Sequence, residues 1–156
     1  MGLRLALYQP DIPQNAGTML RFAACMGIAV DIIEPCGFVW SEHKMRRAGM
    51  DYLDHVEMVR HRSWEFYQKE LEVRSGRLVL LTTRAAQPYA DFSFQAGDTI
   101  MVGRESAGVP DEVHERADAR LLIPMQPEMR SINVAVSAAM VLGEALRQTG
   151  GFPTGS

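Results

Sequence analysis

The feature that most constrains this chain is a repeated alternation of short runs rich in β-branched and apolar residues with stretches of helical periodicity. Two parallel strands must be joined by a crossover that packs on a sheet face, so this alternation predicts an α/β fold with a parallel sheet covered on both sides. Residues 3–8, 29–33, 56–59, 78–82, 99–102 and 119–123 read as strands. The run 78–82 is apolar almost throughout, as in a strand buried on both faces, and 99–102 repeats the signature. Helices are expected over 16–26, after Ser41, from Ser63 to about residue 72, and from about 131 to 148. Pro10 and Pro13 stop the first strand, Asn15 stands where an N-cap is expected, and Gly27 stands where a left-handed residue would close the helix.

A chain of 156 residues is one domain's worth of material, expected to span 1–156 with a frayed tail over 150–156. Its formal net charge of −3 rules out the global positive field of a non-specific nucleic-acid binder, so any RNA contact must be local. Positive charge does cluster, at Lys44, Arg46 and Arg47, at Arg60 and Arg62, and around Arg74, Arg77 and Arg84. Each cluster taken alone reads equally well as a solvated helix face. Cys25 and Cys36 have no metal-binding spacing and read as buried small hydrophobes in a reducing compartment. Nothing at the amino terminus has the layout of a signal peptide and no apolar run reaches membrane-spanning length, so the expectation is a cytoplasmic protein with neither membrane nor metal.

Phosphate-cradling motifs are absent: no P-loop and no Gly-x-Gly-x-x-Gly follows any strand, which suits a ligand without a pyrophosphate. Three segments instead lie just beyond predicted strand ends, where open α/β sheets hold their ligands. The first runs from Pro13 through Asn15 to Arg21. The second, Gly103-Arg104-Glu105-Ser106-Ala107-Gly108, is a glycine-bracketed turn that allows close backbone approach. It lacks the Gly-x-Ser-x-Gly spacing of a hydrolase nucleophile elbow. The third passes from Ile123 and Met125 to Arg130-Ser131-Ile132-Asn133 at the start of the last helix. That helix is rich in small residues, Ala135, Ser137, Ala138, Ala139 and Gly143, which permit close approach either to another helix of the chain or to a second copy.

In this order and spacing the three segments resemble the three motifs of the SpoU branch of SPOUT methyltransferases, and the resemblance covers nearly the whole chain. Ile33-Glu34-Pro35, Arg46-Arg47-Ala48-Gly49-Met50-Asp51-Tyr52 and Leu81-Thr82-Thr83 are similar to the TrmL subgroup. That subgroup methylates the ribose 2'-oxygen of the wobble nucleotide, cytidine or modified uridine, in certain tRNAs. The resemblance implies a parallel-sheet α/β knot whose carboxy-terminal third forms a trefoil knot holding S-adenosylmethionine. The matching cofactor-binding positions are Leu81, Thr82, Gly103, Glu105, Gly108, Ile123, Met125, Ser131 and Asn133. The catalytic set it implies is Asn15, Arg21, Glu105, Ser131 and Asn133.

With the first motif beginning by Pro13, no room is expected for the separate RNA-binding domain that larger SpoU relatives carry. The catalytic domain would then bind the tRNA anticodon stem-loop itself, through Arg46, Arg47, Arg60, Arg62 and Arg84, with RNA lying across a homodimer. A guanidinium stays protonated, so Arg21 is expected to orient the acceptor hydroxyl and stabilise developing oxyanion charge while a substrate phosphate takes the proton. Glu105 is then expected to hold geometry rather than act as the base. Two departures stand out: Ala107 replaces a polar or basic residue of many relatives, and Gly143 replaces an aromatic of some. Other readings are methylation of a different tRNA or rRNA ribose, or a non-catalytic knotted RNA-binding maturation factor. The intact Asn15, Arg21, Glu105, Ser131 and Asn133 argue against the last.

Overall fold

The computed structural model describes residues 2–41, 43 and 51–155. Among them the chain forms one seven-stranded sheet. Its strands are β1 (Arg4–Tyr8), β2 (Ala29–Ile33), β3 (Met58–His61), β4 (Leu78–Leu81), β5 (Gln87–Pro88), β6 (Thr99–Val102) and β7 (Ala119–Leu122). They lie in the order β3-β2-β1-β6-β4-β7-β5, and every neighbouring pair is parallel. Over the described residues it is covered by α1 (Pro13–Met26), α2 (Trp64–Val73), α3 (Asp111–Arg116) and α4 (Val134–Thr149).

Alternation along each strand divides the apolar residues between two cores, as a covered parallel sheet requires. Leu5, Leu7, Val30, Ile32, Val79, Ile100, Val102 and Leu121 face α1 and α4, burying Met19, Leu20, Ala138, Val141 and Leu142. Ala6, Tyr8, Ile33, Leu78, Leu80 and Met101 face the other way, toward Trp64 and Tyr67 of α2 and Val113 of α3. Ala135, Ala138 and Ala145 of α4 are buried, so these small residues serve packing within the chain. The far end of α4 is fixed by Gln148, whose amide accepts from Phe94 N at 2.8 Å and donates to Phe92 O at 2.9 Å.

Several expectations shift. Helix α1 begins at Pro13 rather than residue 16, with Ile12 as a cap that offers no side-chain hydrogen bond. Pro13 is therefore part of the helix, since proline fits the first turn, whose N–H groups have no partner anyway. Asn15 is inside the helix and not its cap, whereas Gly27 closes it at φ 68 as expected. Strand β3 sits two residues later than expected and includes Arg60 and His61, because His61 turns inward to Asp31. Ser63 caps α2, accepting from Phe66 N at 3.3 Å. Helix α4 begins at Val134 rather than 131, capped by Asn133. The two-residue β5, α3 and two short 3₁₀ turns had no clear signal. Cys25 is exposed rather than buried, while Cys36 is half-buried and burial pushes its thiol up to about 11. The basic helix expected after Ser41 falls mostly outside the described residues, as do Arg46 and Arg47.

One polar cluster interrupts the second core. Asp31 of β2, with no exposed surface, accepts from Arg4 Nε and Nη2 at 2.9 Å each and from Arg74 Nη1 at 3.0 Å, and meets His61 Nε2 at 2.9 Å. Arg74 is thus bound to a structural ion cluster rather than offered to a partner, and so is Arg77, bidentate to the buried Asp98 at 2.9 and 2.7 Å. Burial alone would raise the Asp31 carboxyl, but Arg4, Arg74 and His61 outweigh it and hold it at about 2. A carboxyl depressed from 3.8 stabilises the fold fully above its unfolded value and loses that contribution as pH falls toward about 2. The size is about 2 kcal/mol. Urea unfolding should therefore show stability falling by about that amount between pH 5 and pH 2. Asp31→Asn should cost about 3 kcal/mol at neutral pH, by stranding two half-buried guanidiniums. A variant as stable as the parent would contradict this account.

Candidate active site

The carboxyl ends of β6, β4 and β7, adjacent in the sheet, open into a cavity of about 430 Å³. This is the edge at which open parallel sheets bind ligands, and the volume suits a nucleoside-sized molecule. Leu80 and Leu81 line it from β4 with Thr82 just beyond, Val102 from β6 with Gly103 just beyond, and Ile123 and Met125 from the segment after β7. Ile12 and Asn15 enter from the start of α1, and Arg130 through Val134 from the approach to α4. All nine positions matched to cofactor binding line this one cavity: Leu81, Thr82, Gly103, Glu105, Gly108, Ile123, Met125, Ser131 and Asn133.

The turn after β6 is shaped by its two glycines. Arg104 and Gly108 pair across it, with Arg104 N donating to Gly108 O at 3.1 Å and Gly108 N returning to Arg104 O at 2.8 Å. A Cβ on Gly103 would lie 2.7 Å from the Gly108 carbonyl carbon, so only glycine lets the turn close; Gly108 itself has φ 61. The tight approach expected here is therefore between two stretches of the same turn.

Side-chain amides join the three segments. Asn133 Oδ1 accepts from Ala135 N at 2.9 Å and Val136 N at 3.1 Å, capping α4, while its Nδ2 donates to Asn15 Oδ1 at 3.1 Å. Asn15 Nδ2 in turn donates to Glu105 Oε1 at 3.1 Å. Positions 118 and 90 residues apart in sequence thereby form one bridge along the cavity wall. Beneath it, Asp11 accepts from Glu105 N at 3.1 Å, from Ser106 N at 3.4 Å and from Ser106 Oγ at 2.5 Å. Sequence reasoning did not single out Asp11; it lay inside what looked like a simple Pro-Asp-Ile-Pro stop.

The two carboxyls act on one another. Burial, and then the neighbouring Asp11 carboxyl, push Glu105 above the usual carboxylate range, while contact with Glu105 holds Asp11 down at about 2. Asp11 is thereby shifted toward its charged form and Glu105 toward its protonated one. Glu105 Oε2 is buried without a hydrogen-bond partner, a position in which a charged oxygen would lack any donor.

Arg21 is not brought to the cavity wall. It is exposed on α1, with its guanidinium 5.3 Å from the centre of the Tyr52 ring, and Tyr52 OH donates to Gly17 O at 2.8 Å. Arg60, Arg62 and Arg84 also lie outside the cavity. Arg60 pairs with Glu34 and stands over Trp40, Arg62 stands over Phe66 at 5.2 Å, and Arg84 meets Asp111 at 3.1 Å. Among the described residues no group of three or more His, Cys, Asp or Glu could hold a metal, and no helix is long and apolar enough to cross a membrane.

The profile of the SpoU rRNA Methylase family matches residues 2–143. The chain belongs to this family of RNA methylases. It is an enzyme's sequence by that membership, and the sheet is that of the SPOUT methyltransferases. A tRNA (cytidine(34)-2'-O)-methyltransferase of Beijerinckia indica is 61% identical over 147 residues, covering 94% of this chain and 91% of the relative. A structure described as giving insights into 2-OH methylation of C/U34 on tRNA superposes with a TM-score of 0.86 at 40% identity, covering 94% of this chain and 95% of that one. The SpoU methyltransferase AviRb from Streptomyces viridochromogenes, in complex with the cofactor AdoMet, gives 0.83 at 25% identity, covering 94% of this chain and 57% of that one.

The Asn133 bridge makes a measurable demand on this SpoU fold. Asn133→Ala should lower the unfolding free energy by about 1–2 kcal/mol through loss of the cap, seen as a lower urea midpoint with an unchanged slope. An unchanged midpoint would show that the α4 start is held by something else.

Proposed function

We propose that the chain transfers the methyl group of S-adenosylmethionine to the 2'-hydroxyl of the wobble ribose of tRNA, with cytidine or modified uridine as the acceptor nucleotide. The observation that carries this reading is the cavity at the ends of β4, β6 and β7, closed by the Asn133–Asn15–Glu105 bridge. The residues present fit the cofactor: Leu81, Val102, Ile123 and Ile132 offer apolar walls to a flat base, while Thr82 and Ser131 offer polar contacts. The names of close relatives support the same reading.

S-adenosylmethionine, when bound, would supply an electrophilic methyl whose transfer to the ribose oxygen breaks its bond to sulfur and releases a neutral thioether. The chain's own task is to hold the acceptor in attack geometry and to exclude water. Glu105, held by Asn15, keeps the cavity wall in place rather than acting as the base. Arg21, braced by Tyr52, orients the ribose hydroxyl and stabilises the charge that develops on it, while a substrate phosphate takes the proton.

The carboxy-terminal third forms a trefoil knot in this reading, and the enzyme works as a cytoplasmic homodimer with the anticodon stem-loop lying across both subunits. Val136 and Met140 of α4 are 51% and 39% exposed, and a Cβ on Gly143 would meet nothing within 4 Å, leaving an apolar face for a second copy. Arg60, Arg62 and Arg84 are exposed and can exchange a surface carboxylate or aromatic for RNA phosphate at little cost. Arg46 and Arg47 complete the proposed RNA-binding set.

Incubation with tritiated S-adenosylmethionine and tRNA tests the reading. The label should appear in the 2'-O-methylated wobble nucleoside, and a tRNA with a deoxy sugar there should accept none. Arg21→Ala should keep calorimetric cofactor binding while turnover falls on the order of 10²–10³-fold. Full turnover in that variant would remove Arg21 from the reaction, and label in the deoxy tRNA would remove the 2'-oxygen as acceptor.

A further inference from the structure

We propose that Asp11 is a positioning residue for methyl transfer: its carboxylate ties the turn Gly103–Gly108 to the start of α1 and so fixes the Glu105 side chain in the cavity wall. The inference rests on the methyl-transfer reading and deepens it. Neither the motif pattern nor the family likeness assigns Asp11 a role.

Three strand-end segments meet at this one residue. The chain leaves β1 through Gln9, which has φ 42, the only positive φ outside glycine among the described residues. That turn delivers Asp11 toward the β6 turn, where it accepts from two backbone N–H groups and from Ser106 Oγ. From the third side, the segment after β2 backs it: Gly37 N donates to Pro10 O at 2.9 Å, and a Cβ on Gly37 would lie 2.7 Å from Asp11 Cβ. Gly37 is thus required by the approach of the backbone to Asp11. Ser106, which has no hydrolase role, also finds its use here, as a donor to this carboxylate.

A backbone brace alone could be made by an asparagine. A carboxylate does two further things. It accepts all three hydrogen bonds at once, because an ionised carboxyl has only acceptors. It also places a negative charge beside Glu105, which raises the Glu105 carboxyl against the opposing contact from Asn15 Nδ2. Losing the charge would let Glu105 ionise at lower pH, and losing the hydrogen bonds to Glu105 N, Ser106 N and Ser106 Oγ would free the turn to shift the Glu105 side chain away from Asn15. A wall displaced in this way misplaces the reacting groups, so turnover suffers even where binding does not.

The test uses the whole chain and the variants Asp11→Asn, Asp11→Glu and Ser106→Ala. Carbon-13 NMR of the Glu105 carboxyl in the free protein should show its titration midpoint falling in Asp11→Asn, and turnover at saturating cofactor and tRNA should fall about tenfold or more with KM for tRNA unchanged. Asp11→Glu should restore part of both. Ser106→Ala, which removes only an exposed hydroxyl, should fold normally and lose about threefold to tenfold in turnover. It carries the test by itself if Asp11→Asn fails to fold. An unmoved Glu105 midpoint, wild-type turnover in Asp11→Asn or Ser106→Ala, or losses that only track melting temperature would overturn the inference. Absence of cofactor binding and labelling in the parent protein would overturn the methyl-transfer reading itself, while the Glu105 midpoint would still report on Asp11.

Discussion

The arrangement of the site depends on two amides in series. Asn133 closes the first turn of α4 with its oxygen and reaches Asn15 with its nitrogen; Asn15 passes the contact on to Glu105. Each amide uses its donor and its acceptor, so neither can be replaced by a group that only donates or only accepts without breaking a link. The bridge joins the ends of segments that follow β1, β6 and β7, and the cavity is the space these segments enclose. The sheet sets the position of the strand ends, and the bridge sets the distance between the turns built on them.

The two faces of the sheet divide the work. The face under α1 and α4 is apolar and carries, at its carboxyl edge, the walls of the cavity. The opposite face carries the polar cluster around Asp31, where two arginines and a histidine converge on one buried carboxylate. Cations that read in the sequence as a basic patch around Arg74 and Arg77 are committed to this cluster and to Asp98. The net charge available to an RNA partner is correspondingly smaller and lies in arginines at exposed positions, such as Arg62 and Arg84.

Much of the framework was legible from the sequence because buried parallel strands are written as apolar runs. The ranges of β2 and β6 were read without error, since Val30, Ile32, Ile33, Ile100, Met101 and Val102 leave no other interpretation. The start of α1 was misread because Asn15 has the chemistry of a cap while Pro13 looks like a terminator. In fact Pro13 begins the helix, and Asn15 is freed to reach a partner 90 residues away. The shift in β3 has a similar cause: Val56 and Val59 carry the apolar signal, but the strand runs on to His61, which lies opposite Ile33 with its side chain against Asp31. The strand β5 has two residues, one a proline, and no propensity argument could find it. Within the site, the positions were readable as a pattern of motifs, whereas the couplings were not. That Ser131 leaves the cap to Asn133, that Asp11 holds the β6 turn, and that Arg21 rests on Tyr52 outside the cavity are consequences of tertiary approach.

The central claim is that the amide bridge creates the cofactor's cavity. Calorimetric titration of S-adenosylmethionine into the parent protein and into Asn15→Ala tests it most directly. The account predicts binding of one cofactor per chain in the parent and at least about tenfold weaker binding in the variant, with circular dichroism and melting curves showing the fold retained. Equal affinity in the two proteins, or no heat of binding in the parent, would contradict it.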